Sequence, residues 1–105
     1  MENQRINQLL RFVEMDESDV FSRYALALEY RSLQAFDKAF QNFEYLVVNF
    51  PEYLPTYFVY GELLSQNGFV NQALEVLKKG ETLAQNNKDF KTLNEIRFLI
   101  EELED

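Results

Sequence analysis

Two adjacent stretches of equal length decide the fold of this chain: residues 20–53, VFSRYALALEYRSLQAFDKAFQNFEYLVVNFPEY, and residues 54–87, LPTYFVYGELLSQNGFVNQALEVLKKGETLAQNN. At a spacing of 34 residues, small residues match small residues and large apolar residues match large ones. The matched pairs are Tyr24 with Phe58, Ala27 with Gly61, Phe36 with Val70, Ala39 with Ala73, Phe40 with Leu74, and Phe43 with Leu77. A period of about 34 residues predicts a helix-turn-helix solenoid, a class of fold that generally builds binding surfaces.

Hydrophobic spacing along the chain predicts about six helices with short loops and gives no strand signal, so we expect an all-α antiparallel stack. The acidic run that ends at Asp19 suits the N-cap of the second helix. Pro51 ends the third helix, and Pro55 suits the start of the fourth. Gly68 suits a left-handed C-cap. The predicted helices cover residues 2–15, 20–33, 37–50, 55–66, 70–85 and 88–103.

The composition excludes most catalytic chemistry. The chain has 105 residues, 47% of them hydrophobic, and contains neither cysteine nor histidine. It therefore lacks thiolate nucleophiles, thiolate ligands for metals and the commonest general base. No pair of carboxylates is framed by a nucleophile or a glycine loop, and none has the spacing of a metal-binding loop. We expect a single domain that is not an enzyme and that holds no cofactor and no metal.

The charge balance narrows the class of partner. Eighteen acidic residues against 10 basic residues give a net charge of −8. This sign disfavours nucleic acid and anionic membrane surfaces, because both repel an acidic protein. The polar N-terminal segment and the lack of a long apolar run predict neither a signal peptide nor a transmembrane helix, so we expect a cytoplasmic protein.

The repeated pattern resembles the tetratricopeptide repeat (TPR) family. In residues 20–53 the matching positions are Leu26, Ala27, Tyr30, Ala39, Phe43 and Pro51, with departures at Arg23 and Gln34. In residues 54–87 they are Tyr57, Gly61, Gly68 and Ala73, with departures at Tyr60, Leu64, Leu77 and Gln85. The resemblance implies a right-handed superhelix in one domain, residues 1–105. Residues 2–15 and 88–104 would be its N-terminal and C-terminal capping helices.

The resemblance also implies a binding site. Family members usually bind ligands along the concave face that the first helices of the repeats line. Carried over, that face is a groove for a protein or peptide partner, with Phe21, Tyr24, Leu28 and Arg31 from the first repeat and Phe58, Glu62 and Gln66 from the second. Geometry alone places 21, 24, 28 and 31 on one helical face. The alternative is that Phe21, Tyr24 and Phe58 only pack helix on helix.

A second function stays open at this point. The chain has ten phenylalanines and six tyrosines, more than a core of this size needs. Phe12, Phe69 and Phe98 lie off the main apolar stripes. Aromatic residues left on the surface can form a homodimer patch. We therefore expect an interaction scaffold that is a monomer or a weak homodimer, with self-association as the alternative function.

Overall fold

The fold is entirely helical over residues 3–105, the part of the chain that the computed structural model describes. In chain order the helices are α1 Gln4–Met15, α2 Val20–Ser32, α3 Phe36–Asn49, α4 Pro55–Gln66, α5 Val70–Asn86 and α6 Phe90–Glu104. No strand occurs within these residues, so the all-α prediction is confirmed. The predicted start of the first helix at residue 2 lies outside the described residues.

Side-chain caps fix three of the helix starts. Asp19 accepts hydrogen bonds from the backbone N–H of Ser22 at 3.0 Å and from its hydroxyl at 2.6 Å. These bonds hold the pKa of Asp19 below its ordinary value. Asp89 caps α6 in the same way through Thr92, and Asn3 accepts from the N–H of Ile6 at the start of α1. The Asp89 cap explains why α6 begins at Phe90 and not at the predicted residue 88.

Three helices end in the same left-handed turn. Gly68, predicted as a C-cap, has a φ of 87°, while Gln34 and Lys88 have φ values of 59° and 58°. The next residue in each case donates its N–H to a carbonyl five residues earlier, which closes a Schellman motif. These bonds, each 2.9 Å long, run from Ala35 to Tyr30, from Phe69 to Leu64 and from Asp89 to Ala84. Gln34 and Lys88 therefore adopt a turn conformation that glycine more often supplies.

The chain divides into two compact units, Met1–Tyr53 and Leu54–Asp105. In unit 1, α2 packs against both α1 and α3. In unit 2, α5 packs against both α4 and α6, and α4 also contacts α6. The boundary falls between the two repeats of the sequence. One domain with a capping helix at each end stays a prediction.

Small residues on facing helices form the core of unit 1. Ala27 on α2 and Ala39 on α3 are both fully buried, as is Phe43. A larger side chain at either alanine would hold the two backbones apart, so the matched small residues explain the close pairing. The remaining buried apolar residues of this unit are Ile6, Leu9, Val13, Leu26, Tyr30, Leu46 and Val47.

In unit 2, glycines allow the helices to pack closely. A Cβ atom at Gly61 would lie 2.5 Å from Cγ of Leu77, and one at Gly80 would lie 2.5 Å from Cβ of Tyr57. One hydrophobic cluster of this unit contains Leu77, Ile96 and Ile100, with Phe58, Leu74, Leu99 and Leu103 packed against it. Gly80 lies inside α5, where glycine disfavours the helix, so the close approach of Tyr57 accounts for it.

Thr56 supplies a test of this packing. Its side chain is fully buried, and its hydroxyl has no hydrogen-bond partner among residues 3–105. An unpaired buried hydroxyl costs about 1–3 kcal/mol in protein mutational data. Thr56→Val keeps the β-branched shape and removes the hydroxyl, so we expect stabilisation of about 1 kcal/mol in chemical denaturation.

Thr82 provides the control, because it is exposed and its hydroxyl donates to the carbonyl of Lys78 at 3.2 Å. Thr82→Val should leave stability unchanged or slightly reduced. A loss of stability in Thr56→Val would contradict the assignment of an unpaired hydroxyl.

A candidate peptide-binding surface on helix α2

Three aromatic rings form a continuous surface in unit 1, here called the aromatic surface: Phe21, Tyr24 and Tyr53. The ring of Tyr53 lies 5.8 Å from Phe21 and 5.4 Å from Tyr24, centroid to centroid, both in edge-to-face geometry. Tyr24 also contacts Phe43 of the core at 6.5 Å. The surface therefore runs from the buried core, through Tyr24, to Phe21, whose side chain is 71% exposed.

The helical repeat explains why these side chains stand together. Phe21, Tyr24, Leu28 and Arg31 occupy one face of α2, while Leu26, Ala27 and Tyr30 are buried on another. Leu28 and Arg31 are half-buried. Tyr53 reaches this face from the turn after α3, where its N–H donates to the carbonyl of Phe50 at 3.0 Å. All four residues predicted from the first repeat thus lie on one face of α2, and Tyr53 joins Phe21 and Tyr24 there.

The tyrosines of this surface are neutral hydrogen-bonding groups. Burial raises the pKa of Tyr24 above its ordinary value, and the neighbouring Tyr53 raises that pKa further, while Arg31 acts in the opposite direction. Burial also raises the pKa of Tyr53. Both phenols therefore keep their protons at neutral pH. Neither hydroxyl has a hydrogen-bond partner among residues 3–105, so each can bond to a ligand.

A pocket adjoins the aromatic surface. It has a volume of about 420 Å³ and is lined by Val20, Asn49, Phe50, Pro51, Glu52 and Tyr53. Tyr53 belongs to both the pocket and the ring cluster. The carboxylate of Glu52 is exposed and makes no ion pair with any residue in the described part of the chain. The pocket therefore offers an apolar wall beside a negative charge.

A larger depression of about 590 Å³ lies at the turn between α2 and α3. Its aromatic wall is less accessible, because Tyr30 is buried and Lys38 lies over its ring at 5.6 Å. Its other lining residues are Leu33, Gln34, Ala35, Phe36 and Asp37. The aromatic surface of α2 presents more exposed ring area, so it is the stronger candidate site.

The residues predicted from the second repeat lie on α4 of unit 2. Phe58 is half-buried against the cluster of Leu77, Ile96 and Ile100, and so contributes to that core. Glu62 is half-buried, and Gln66 is exposed at the end of the helix. That all seven predicted residues share one groove stays a prediction.

Sequence analysis missed two features of this region. Tyr53 has no aromatic counterpart at residue 87, which is asparagine, so the repeat did not mark it.

Arg23 occupies a position where the family pattern has a large aromatic residue. Its guanidinium lies 4.0 Å from the ring centroid of Tyr45 and donates a hydrogen bond to the side-chain oxygen of Asn42 at 3.2 Å. A cation over an aromatic ring replaces the missing ring there. An arginine in an aromatic position, facing a tyrosine on the next helix, is the signal that could have shown it.

Neither a metal site nor a membrane span is visible in the described residues. Among residues 3–105, no three acidic side chains converge as a metal-ion site would require. None of the helices in that range is both long enough and apolar enough to cross a bilayer.

The paired helices, which recur at a spacing of 34 residues, define a helical-repeat protein. No family model matches the sequence, and no curated protein matches it. Among solved structures, the solution structure of a tetratricopeptide repeat domain protein from Salinibacter ruber is 30% identical, has a TM-score of 0.79, and aligns over 85% of this chain and 90% of that one. The crystal structure of a tetratricopeptide repeat domain protein from the same organism is also 30% identical, with a TM-score of 0.77 over 83% of this chain and 97% of that one. The chain belongs to the tetratricopeptide repeat family.

A more distant structure shows the same fold. The solution structure of a protein from Bordetella parapertussis has a TM-score of 0.79 at 19% identity, and the alignment covers 98% of this chain and 89% of that one. This structural similarity extends over all six helices. At 19% identity it shows a shared fold alone. The fold is generally a protein-interaction module.

Proposed function

We propose that this protein is an adaptor that binds a peptide or a segment of a partner protein on the α2 face, with the aromatic surface as its anchor. The observation that carries the proposal is the exposed ring of Phe21, held edge-on against Tyr53 beside Tyr24. Buried aromatic anchors dominate the energy of protein interfaces. Leu28 and Arg31 extend the surface along α2. The groove predicted from the repeats also includes Phe58, Glu62 and Gln66 on α4, and their part in binding stays a prediction.

The exposed ring of Phe21 can contribute free energy to binding when a partner covers it. A phenylalanine buries roughly 150–250 Å² when fully covered. Phe21 is 71% exposed, so at about 25 cal/mol per Å² covering the exposed part of its ring contributes roughly 3–4 kcal/mol. Tyr53 contacts the ring of Phe21 edge-to-face at 5.8 Å, and we infer that this contact reduces the conformational entropy lost on binding. We propose that the partner is a protein, because the net charge of −8 argues against nucleic acid and anionic membranes. We also propose a cytoplasmic location and no catalytic role.

Phe21→Ala tests the proposal with little risk to the fold, because most of that side chain is in solvent. We expect partner capture from a native extract to fall at least tenfold while the melting temperature and circular dichroism stay unchanged. Phe90→Ala is the matched control, since Phe90 is 60% exposed and belongs to unit 2. Equal loss of capture in both variants, or in neither, would place the binding surface elsewhere.

Self-association is the second candidate function. The three off-stripe phenylalanines are exposed, with Phe12 at 43%, Phe69 at 47% and Phe98 at 65%. Exposed rings of this size favour contact with a second copy. Sedimentation at micromolar concentration tests this function: a dimer that dissociates when all three are changed to alanine supports it, and a wild-type monomer over the whole range contradicts it.

A further inference from the structure

The two phenol groups of the aromatic surface limit what it can bind. Tyr24 and Tyr53 lie edge-to-face, and neither hydroxyl has a hydrogen-bond partner among residues 3–105. Arg31 lies on the same face of α2 and forms no ion pair with a carboxylate among residues 3–105. The surface thus offers ring edges and faces together with unpaired hydrogen-bond donors. It suits a ligand that carries apolar rings and free carbonyl oxygens in alternation.

A polyproline II helix has this combination. It makes no internal hydrogen bonds, so its carbonyl groups remain free to accept from phenol hydroxyls. Its pyrrolidine rings pack against aromatic side chains, which is how aromatic-lined grooves recognise proline-rich segments. Because proline fixes its own backbone angle, such a ligand loses little entropy on binding.

The length of the α2 face from Phe21 to Arg31, which carries part of the aromatic surface, sets the length of the ligand. Phe21 and Arg31 are ten residues apart on α2, which corresponds to about 15 Å along the helix axis. A polyproline II helix rises about 3.1 Å per residue, so about five residues span this distance.

Charge complementarity sets the flanking residues. Glu52 lines the pocket beside Tyr53 and forms no ion pair within the described chain, and the whole protein carries a net charge of −8. A lysine or arginine next to the prolines would lie in a negative potential at this pocket. An acidic ligand would meet repulsion at the same place.

We propose that the aromatic surface binds a proline-rich segment of a partner protein, about five residues long in polyproline II conformation, with a basic residue beside the prolines. The inference rests on the proposed function, because it names the ligand class of the same surface. Tyr24 and Tyr53 donate hydrogen bonds to ligand carbonyls, Phe21 packs against a proline ring, and Glu52 pairs with the basic flank.

Two peptides of equal charge test the ligand class on the full-length protein. One has six prolines between two lysines, and the other has six alanines between two lysines. Amide NMR titration should show that the proline peptide shifts the signals of residues 20–31 and 49–53. Its affinity should be at least tenfold higher than that of the alanine peptide.

Tyr24→Phe and Tyr53→Phe keep the rings and remove the hydroxyls, so each should weaken proline-peptide binding by roughly three- to tenfold. Tyr45→Phe, a tyrosine on α3, is the control and should change nothing.

Equal affinity for both peptides would overturn the proposal, because charge alone would then explain binding. Binding of the proline peptide that is unaffected by both Tyr→Phe changes would also overturn it. Absence of binding by either peptide, with partner capture still dependent on Phe21, would reject the proline ligand and leave the proposed function standing. Insensitivity of partner capture to Phe21→Ala would reject the proposed function itself.

Discussion

A chain that ends at residue 87 is expected to aggregate or to unfold without a cooperative transition. The truncation removes α6, which supplies Ile96 and Ile100 to the cluster around Leu77. It also uncovers the parts of Phe58 and Leu74 that pack against this cluster. Losing one buried isoleucine or leucine side chain costs about 2–5 kcal/mol. The helix carries three buried ones, so their loss approaches the whole stability of a small domain, about 5–15 kcal/mol.

Thermal melts and analytical sedimentation of the truncated chain measure this effect. The matched control ends at Leu103 and loses only Glu104 and Asp105, both exposed. Glu104 pairs with Lys78 at 3.1 Å on the surface, and such pairs contribute about 0–1 kcal/mol, so this control should melt close to the wild type. A chain ending at residue 87 that stays monomeric and melts sharply would show that α6 is not part of the core of unit 2.

The second large effect is expected from a single methyl group at Gly80. In Gly80→Ala the new Cβ atom would lie 2.5 Å from Cβ of Tyr57 and 3.1 Å from Cδ1 of Ile96. Cβ of Tyr57 is bonded to its own backbone, so the clash can be relieved only if α4 moves. Alanine favours a helix over glycine by about 1 kcal/mol. Overpacking costs about 1–3 kcal/mol or more, and here we expect it to exceed that gain.

Thermal denaturation of two glycine variants compares the cost of a packing clash with the cost of backbone strain. A destabilisation of 1 kcal/mol lowers the melting temperature of a small domain by about 4–8 °C. Gly68→Ala serves as a comparison, because its Cβ atom meets nothing within 4 Å but its φ is +87°. That variant should lose about 1 kcal/mol through strain alone. If Gly80→Ala melts at or above the wild-type temperature, then α4 and α5 do not approach as closely as described.

Periodicity predicts most of the fold. Ala27, Ala39 and Ala73 repeat because they lie where two helices cross, and Gly68 repeats a turn position that Gln34 also occupies. Hydrophobic spacing and these small residues therefore specify the helices and their pairing. The sequence does not predict the need for glycine at position 80, because that need comes from a close contact with Tyr57, which is 23 positions earlier and on another helix.

The candidate site was only half predictable. The 3.6-residue period of α2 places Phe21, Tyr24, Leu28 and Arg31 on one face without any tertiary information. Tyr53 lies in a turn, where no period operates, and its position depends on how the chain leaves α3. The contribution of Phe58 to the core of unit 2 depends on α6, which lies outside the two 34-residue repeats.

Site-specific photo-crosslinking tests the central claim most directly. A photoreactive phenylalanine analogue would replace Phe21 in one variant and, as controls, Phe90 or Phe98 in two others. We predict a crosslink to a partner protein from position 21 alone, suppressed by excess wild-type protein and mapped within the partner to a single short segment. Partner crosslinks from position 90 or 98 but not from 21, or a product of twice the mass of this chain from position 21, would contradict the assignment of the α2 aromatic surface as the partner-binding site.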